Sequence, residues 1–181
     1  KLAVLRCNGS CQNLPRINTY NGSLSCAVAA SLYGGQTGCS YGCLGMGDCV
    51  KVCQFNAMVM DPLTCLPVIL EDKCTSCGAC VKACPRNILE IRPKGPKNRR
   101  IYVACANKDK GAVIRKVCTV GCLGCQLCLK ACPFEAITIA DNLATIDPGK
   151  CRLCRKCTPV CPVGCITEIN FPPKKQEIGN E

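Results

Sequence analysis

Three stretches of this chain repeat one cysteine spacing, and that spacing limits the possible folds more than any other feature. Cys122, Cys125, Cys128 and Cys132 follow C-x2-C-x2-C-x3-C, with Pro133 directly after. The pattern returns at Cys74, Cys77, Cys80, Cys84 and Pro85, and again at Cys151, Cys154, Cys157, Cys161 and Pro162. Thiolates at this spacing hold a [4Fe–4S] cluster. One run alone would also suit a zinc knuckle. Three full runs with a fourth imperfect one point to iron–sulfur chemistry and one-electron transfer.

Composition narrows the alternatives. The chain has 23 cysteines in 181 residues and no histidine, so any zinc site would need four thiolates. Disulfides fit poorly, because closely repeated cysteines suit one compact cluster better than several long cross-links. Thiolate ligation also implies a reducing compartment. Tryptophan is absent and aromatic residues make up 4% of the chain, so an ordinary apolar core is thin. Bound clusters are expected to supply part of the fold's stability, leaving the metal-free chain poorly folded.

The formal charge of +11 counts every cysteine as neutral. Four thiolates on an oxidised cubane total about −2, so four clusters bring the chain to about +3, and full reduction to about −1. Nucleic-acid binding, the usual reading of a basic chain, loses most of its support. No apolar run approaches the length of a membrane-spanning helix.

Taken in order, Leu2–Leu5 reads as a strand, followed by Cys7 and Cys11 in RCNGSC, then Cys26 at the head of an alanine-rich helical stretch. Cys39, Cys43, Cys49 and Cys53 recur at one constant offset as Cys118, Cys122, Cys128 and Cys132, and Cys26 recurs as Cys105. The chain is therefore an internal duplication. Each unit repeats a run, a short helix, a strand (57–60 and 136–139), a returning strand (66–70 and 143–146), a second run and a last strand (88–91 and 166–169). The fold class expected is α+β: two tandem two-cluster ferredoxin-like units behind a cysteine-containing N-terminal segment. The divisions are residues 1–36, a first unit at 37–92, a basic linker and strand at 93–104, a second unit at 105–170 and a polar tail at 171–181. The linker RPKGPKNRR reads as a solvated hinge, and the tail as mobile.

Where two runs share a unit, the fourth cysteine of each ligates the other cluster. One cluster then takes Cys122, Cys125, Cys128 and Cys161, and another takes Cys151, Cys154, Cys157 and Cys132. In the first unit, Cys74, Cys77, Cys80 and Cys53 form a third set. The fourth set has Cys43, Cys49 and Cys84, but Met46 stands where a cysteine belongs and Gln54 replaces the proline. Three outcomes stay open there: a [3Fe–4S] cluster, a fourth bond from another cysteine such as Cys39, or an empty site. Cys39 has a counterpart, Cys118, beside a complete run, so it did not arise merely to replace the missing ligand. Cys7, Cys11, Cys26 and Cys39 are candidates for a fifth four-thiolate site. Cys105 and Cys118 read as structural thiols, and Cys65 and Cys165 as plain small residues.

RCNGSC, GCSYGCLGMGDC, DKCTSCGACVKACPRNI, NKDKGAVIRKVC and GCLGCQLCLKACPFEAI followed by NLATID together resemble the B subunits of Rnf complexes. That family is a membrane ferredoxin:NAD+ oxidoreductase coupling electron flow to ion pumping. The resemblance implies an electron-transfer subunit with no substrate chemistry of its own. It would take electrons from soluble ferredoxin at the cytoplasmic face of an anaerobe's membrane and associate with the complex's other membrane subunits. Family members begin with a hydrophobic anchor and a separate cysteine motif. Neither stands in these residues, so the expectation is the soluble C-terminal part, held peripherally. A polyferredoxin subunit of a hydrogenase or flavin-based reductase is the alternative; a cluster-stabilised nucleic-acid-binding module is a third class. Ferredoxins are acidic, so Arg152, Arg155 and Lys156 are the first candidate docking charges, and Lys97, Arg99 and Arg100 the second.

Overall fold

A computed structural model describes residues 1–19, 21–32 and 34–173. The strands fall where the sequence puts them: β1 (Leu2–Leu5), β2 (Met58–Met60), β3 (Pro67–Ile69), β4 (Leu89–Arg92), β5 (Arg100–Val103), β6 (Ile137–Ala140), β7 (Leu143–Ile146) and β8 (Ile166–Ile169). The helices are short: α1 (Cys26–Leu32), α2 (Asp48–Lys51), α3 (Ala79–Ala83), α4 (Gly111–Val117) and α5 (Leu127–Lys130). Of the tail, residues 174–181 lie outside the described residues.

The strands form four antiparallel pairs, and the pairing repeats between the halves. β2 pairs with β3 and β6 with β7 as hairpins. β1 pairs with β4, Leu2 opposite Arg92 and Leu5 opposite Leu89. β5 pairs with β8, Arg100 opposite Ile169 and Val103 opposite Ile166. β1 thus belongs to the first unit's sheet and β5 to the second's, whereas the sequence divisions set both apart. Each inner strand closes its unit by pairing with that unit's last strand.

Alternation along these two strands builds the molecule, because successive side chains of a strand point to opposite faces. Ala3 and Leu5 pack into the first unit's core with Met58, Ile88 and Cys49. Ile101 and Val103 pack into the second unit's core with Ile137, Ile146 and Cys157. The opposite faces, Val4 of β1 with Tyr102 and Ala104 around β5, form a small apolar seam between the units.

Polar contacts reinforce the seam and change the reading of the linker. Arg92 is 8% exposed; it pairs with Glu90, lies 5.8 Å from the Tyr102 ring centre and donates to the Ile146 carbonyl at 3.0 Å. Arg100 is 5% exposed and pairs with Glu71, which also accepts from Asn170 at 3.3 Å. Arg100 holds the Glu71 carboxyl below its ordinary range. The linker's bounding arginines therefore clamp the two units, and a freely solvated hinge is not what the fold shows. Both are long cations taken out of water only where a carboxylate and carbonyls receive them.

Candidate metal centres

The cysteine loops share one backbone. In each, the residues on either side of the second ligand position adopt left-handed φ: Ser76 and Gly78, Gly124 and Gln126, Leu153 and Arg155, Gly45 and Gly47. Left-handed residues inserted into a short loop curl successive N–H groups toward one centre, a concavity that suits anionic clusters. The loop carrying Met46 has the same two left-handed positions as the complete ones. Non-glycine residues hold such conformations at a cost.

In the second unit the cysteines of the two runs come together. Cys122, Cys125, Cys128 and Cys161 line one cavity. Burial, and then Cys122, Cys125 and Cys161, push the Cys128 thiol up to about 11. The cysteines of the other set also lie near one another. Burial, then nearby Cys154 and Cys132, raises Cys151, while burial with Cys151 and Cys154 pushes Cys157 up to about 11. In the first unit, burial together with Cys74 and Cys77 raises Cys80. Cys74 and Cys53 pack against the same core and accept N–H bonds from Ala3 at 3.5 Å and Ala57 at 3.4 Å.

The incomplete site has an unexpected fourth thiol. Cys26, Cys43, Cys49 and Cys84 line one cavity, whereas Met46 lines a neighbouring groove with Cys11 and Cys65. Burial, followed by Cys26 and Cys84, pushes Cys49 up to about 12, and Cys26 also acts on Cys43. Asp48, beside Cys49, fixes this approach: its carboxylate accepts from the Ser25 hydroxyl at 3.0 Å and the Ala27 N–H at 3.2 Å. Lys51 adds a bond to the Leu24 carbonyl at 2.6 Å. The start of α1 is thereby tied to α2, which holds Cys26 over the cavity. A lone cysteine ahead of an alanine-rich helix gave no spacing signal for this; the nearby G-D-C at Gly47–Cys49 is its anchor.

The four candidates for a fifth site do not converge. Cys26 stands with Cys43, Cys49 and Cys84; Cys11 lies at the surface, donates to the Leu63 carbonyl at 3.1 Å and neighbours Cys65; Cys7 and Cys39 lie at the seam.

Cys165 is more than a space-filling residue. It stands 3.6 Å from the Cys161 sulfur and also bonds Cys122. Its single S–H proton is shared between these two sulfurs and holds the Cys161 and Cys122 thiols below their ordinary range, while its own thiol is pushed up. Hydrogen bonds to ligand sulfurs raise a cluster's potential. Cys165→Ala is expected to keep the iron content and shift one midpoint potential to more negative values in a redox titration. Loss of iron instead would make Cys165 a ligand.

Four thiols in one cavity, with backbone N–H groups directed at the sulfurs of Cys43, Cys122 and Cys128, fit the donor set of a [4Fe–4S] cluster.

The 4Fe-4S dicluster domain matches residues 73–136 and 121–165. The chain belongs to the 4Fe-4S dicluster family. Its first matched segment crosses the seam, so sequence similarity alone does not divide this dicluster protein where its strands do. The resemblance to the B subunits of Rnf complexes also holds over most of the chain. Identity is 46% over 167 residues to the B subunit of the Na(+)-translocating ferredoxin:NAD(+) oxidoreductase complex of Acetobacterium woodii, covering 92% of this chain and 49% of that protein. It is 46% over 171 residues to the proton-translocating counterpart of Clostridium ljungdahlii, covering 93% and 59%. It is 42% over 158 residues to the B subunit of the ion-translocating oxidoreductase complex of Methanosarcina acetivorans, covering 87% and 58%. The chain thus spans about half to three-fifths of these relatives' lengths. Among the described residues no helix is long and apolar enough to cross a membrane.

Proposed function

We propose that this dicluster protein is the multi-cluster electron-transfer part of a membrane-bound, ion-pumping ferredoxin:NAD+ oxidoreductase, receiving electrons from reduced ferredoxin on the cytoplasmic side. The observation that carries this is the set of four-cysteine cavities in a chain similar throughout to the B subunits of such complexes. Bound [4Fe–4S] clusters supply one-electron couples. The ligand sets proposed are Cys122, Cys125, Cys128, Cys161; Cys151, Cys154, Cys157, Cys132; Cys74, Cys77, Cys80, Cys53; and Cys43, Cys49, Cys84 with Cys26. With Cys26 as its fourth thiolate, the last set takes the second of the outcomes left open at Met46, a bond from another cysteine.

The protein's own residues do three things for such centres. The crossed fourth cysteines tie the two runs of a unit into one rigid frame. Backbone N–H groups of Gly45, Gly124, Leu129 and Leu153 point at ligand sulfurs and offset thiolate charge. A thiol that binds no metal is mostly protonated at neutral pH, so loading Cys43 and Cys49 releases protons.

Pairing within the chain redraws the docking surface expected for ferredoxin. Arg155 is engaged: its Nη2 is 2.6 Å from Glu168, it donates to the Pro172 carbonyl at 3.0 Å and it stacks 5.0 Å from the Phe171 ring centre. In the second patch Arg100 is buried against Glu71 and Arg99 lies 5.4 Å from the same Phe171 ring. Arg152 and Lys156 remain exposed, interleaved with Cys151, Cys154 and Cys157. Charges at the rim of a transient interface act mainly on association rate. Arg152→Glu with Lys156→Glu is expected to slow reduction by an acidic ferredoxin about tenfold at low ionic strength. The difference should fade as salt rises. Stopped-flow rates equal to the native protein's at low salt would place docking elsewhere, and a chain that reduced ferredoxin never reduces would overturn the proposal.

A further inference from the structure

We infer that Cys7, Cys39, Cys105 and Cys118 form a further [4Fe–4S] site on the seam between the two ferredoxin-like units. The inference rests on the iron–sulfur reading above but concerns none of its four ligand sets. All four cysteines line one cavity, together with Asn107 and Gly121. Cys39 acts on Cys7, on Cys105 and on Cys118, so the four thiols converge from separate segments.

They converge as two matching pairs. Cys7 lies two residues past the end of β1, and Cys105 two residues past the end of β5. Cys39 stands four residues ahead of Cys43, and Cys118 four residues ahead of Cys122. The hydrogen bonds match as well. Cys43 donates its backbone N–H to Cys7 at 3.5 Å, and Cys122 donates its own to Cys105. The seam site is thus bonded directly to the first ligand of each unit's first run. Strand position makes Cys7 the partner of Cys105, although the sequence offset pairs Cys105 with Cys26. Cys26 is free to differ because the first unit needs it where Met46 brings no thiolate, while Cys125 fills that position in the second unit.

The surroundings are those of a built site. Asn107 is 2% exposed and donates through Nδ2 to the Cys39 sulfur at 3.3 Å, its Oδ1 accepting from the Asp109 N–H at 2.7 Å. Gly9 donates to Cys7, and Val120 and Gly121 donate to Cys118. Gly42 and Gly121 occupy matching positions. A Cβ on Gly42 would come within 2.9 Å of Leu14, and one on Gly121 within 2.4 Å of Ile114.

The test is iron, sulfide and zinc per chain in anaerobically prepared native protein, compared with a Cys39→Ala, Cys118→Ala double variant and a Cys11→Ala control. The expected result is about 20 iron and no zinc in the native protein and the control, falling by about one fifth in the double variant. About 16 iron in the native protein overturns the seam site while leaving the four other clusters standing. One zinc per chain beside about 16 iron, or a double variant that keeps about 20, overturns it too. A protein without iron overturns both readings. Should the double variant not fold, the native count decides.

Discussion

Replacing Cys26 by alanine is expected to remove about one iron per chain and to create a near-isotropic [3Fe–4S] EPR signal absent from the oxidised native protein. The cavity holding Cys26, Cys43, Cys49 and Cys84 would then keep three thiolates, and the iron without one is lost. The loop at Met46 already has the left-handed pair, Gly45 and Gly47, that shapes the complete loops. Adding Met46→Cys to the Cys26→Ala variant should therefore restore the fourth bond and abolish the signal. A three-iron signal in the native protein, removed by Met46→Cys alone, would show that Cys26 is not a ligand.

Removing iron and sulfide is expected to abolish cooperative folding. No sheet among the described residues has more than two strands, and isolated pairs are marginal in water. The apolar cores are built partly from the proposed ligands: Cys122, Cys128 and Cys157 in one, Cys49 and Cys80 in the other. With the clusters gone, only small residues and a few isoleucines, leucines and valines remain to offset the chain entropy. The measurement is thermal unfolding by circular dichroism with one-dimensional NMR on chelated, reduced protein. Broad thermal change and collapsed methyl dispersion are expected. Apo protein with a sharp transition and native dispersion would show that the polypeptide folds without its clusters.

Much of this was legible from residue spacing. Leu2–Leu5, Leu143–Ile146 and Ile166–Ile169 are strands with the bounds the apolar pattern suggests, because each is a β-branched or leucine-rich run between turn residues. The proposed crossed ligand sets come from the runs, and Cys161 lines one cavity with Cys122, Cys125 and Cys128. Less was legible where contacts join distant segments. Cys26 and Cys105 share a sequence offset yet serve different cavities, since the local need differs: Met46 leaves one half short of a thiolate, and Cys125 completes the other. Likewise RPKGPKNRR reads as a hinge by composition, but Glu71, Glu90 and the Ile146 carbonyl receive Arg100 and Arg92 from afar. Arg155 looks like a free surface charge until Glu168 and Phe171 are brought beside it.

That this chain carries several one-electron iron–sulfur centres is tested most directly by coulometric reduction of the native protein prepared without oxygen. Reversible uptake of at least about four electrons per chain is expected, with bleaching of the thiolate-to-iron absorption and EPR signals of reduced cubanes. A colourless, zinc-loaded protein that takes up no electrons reversibly would contradict it.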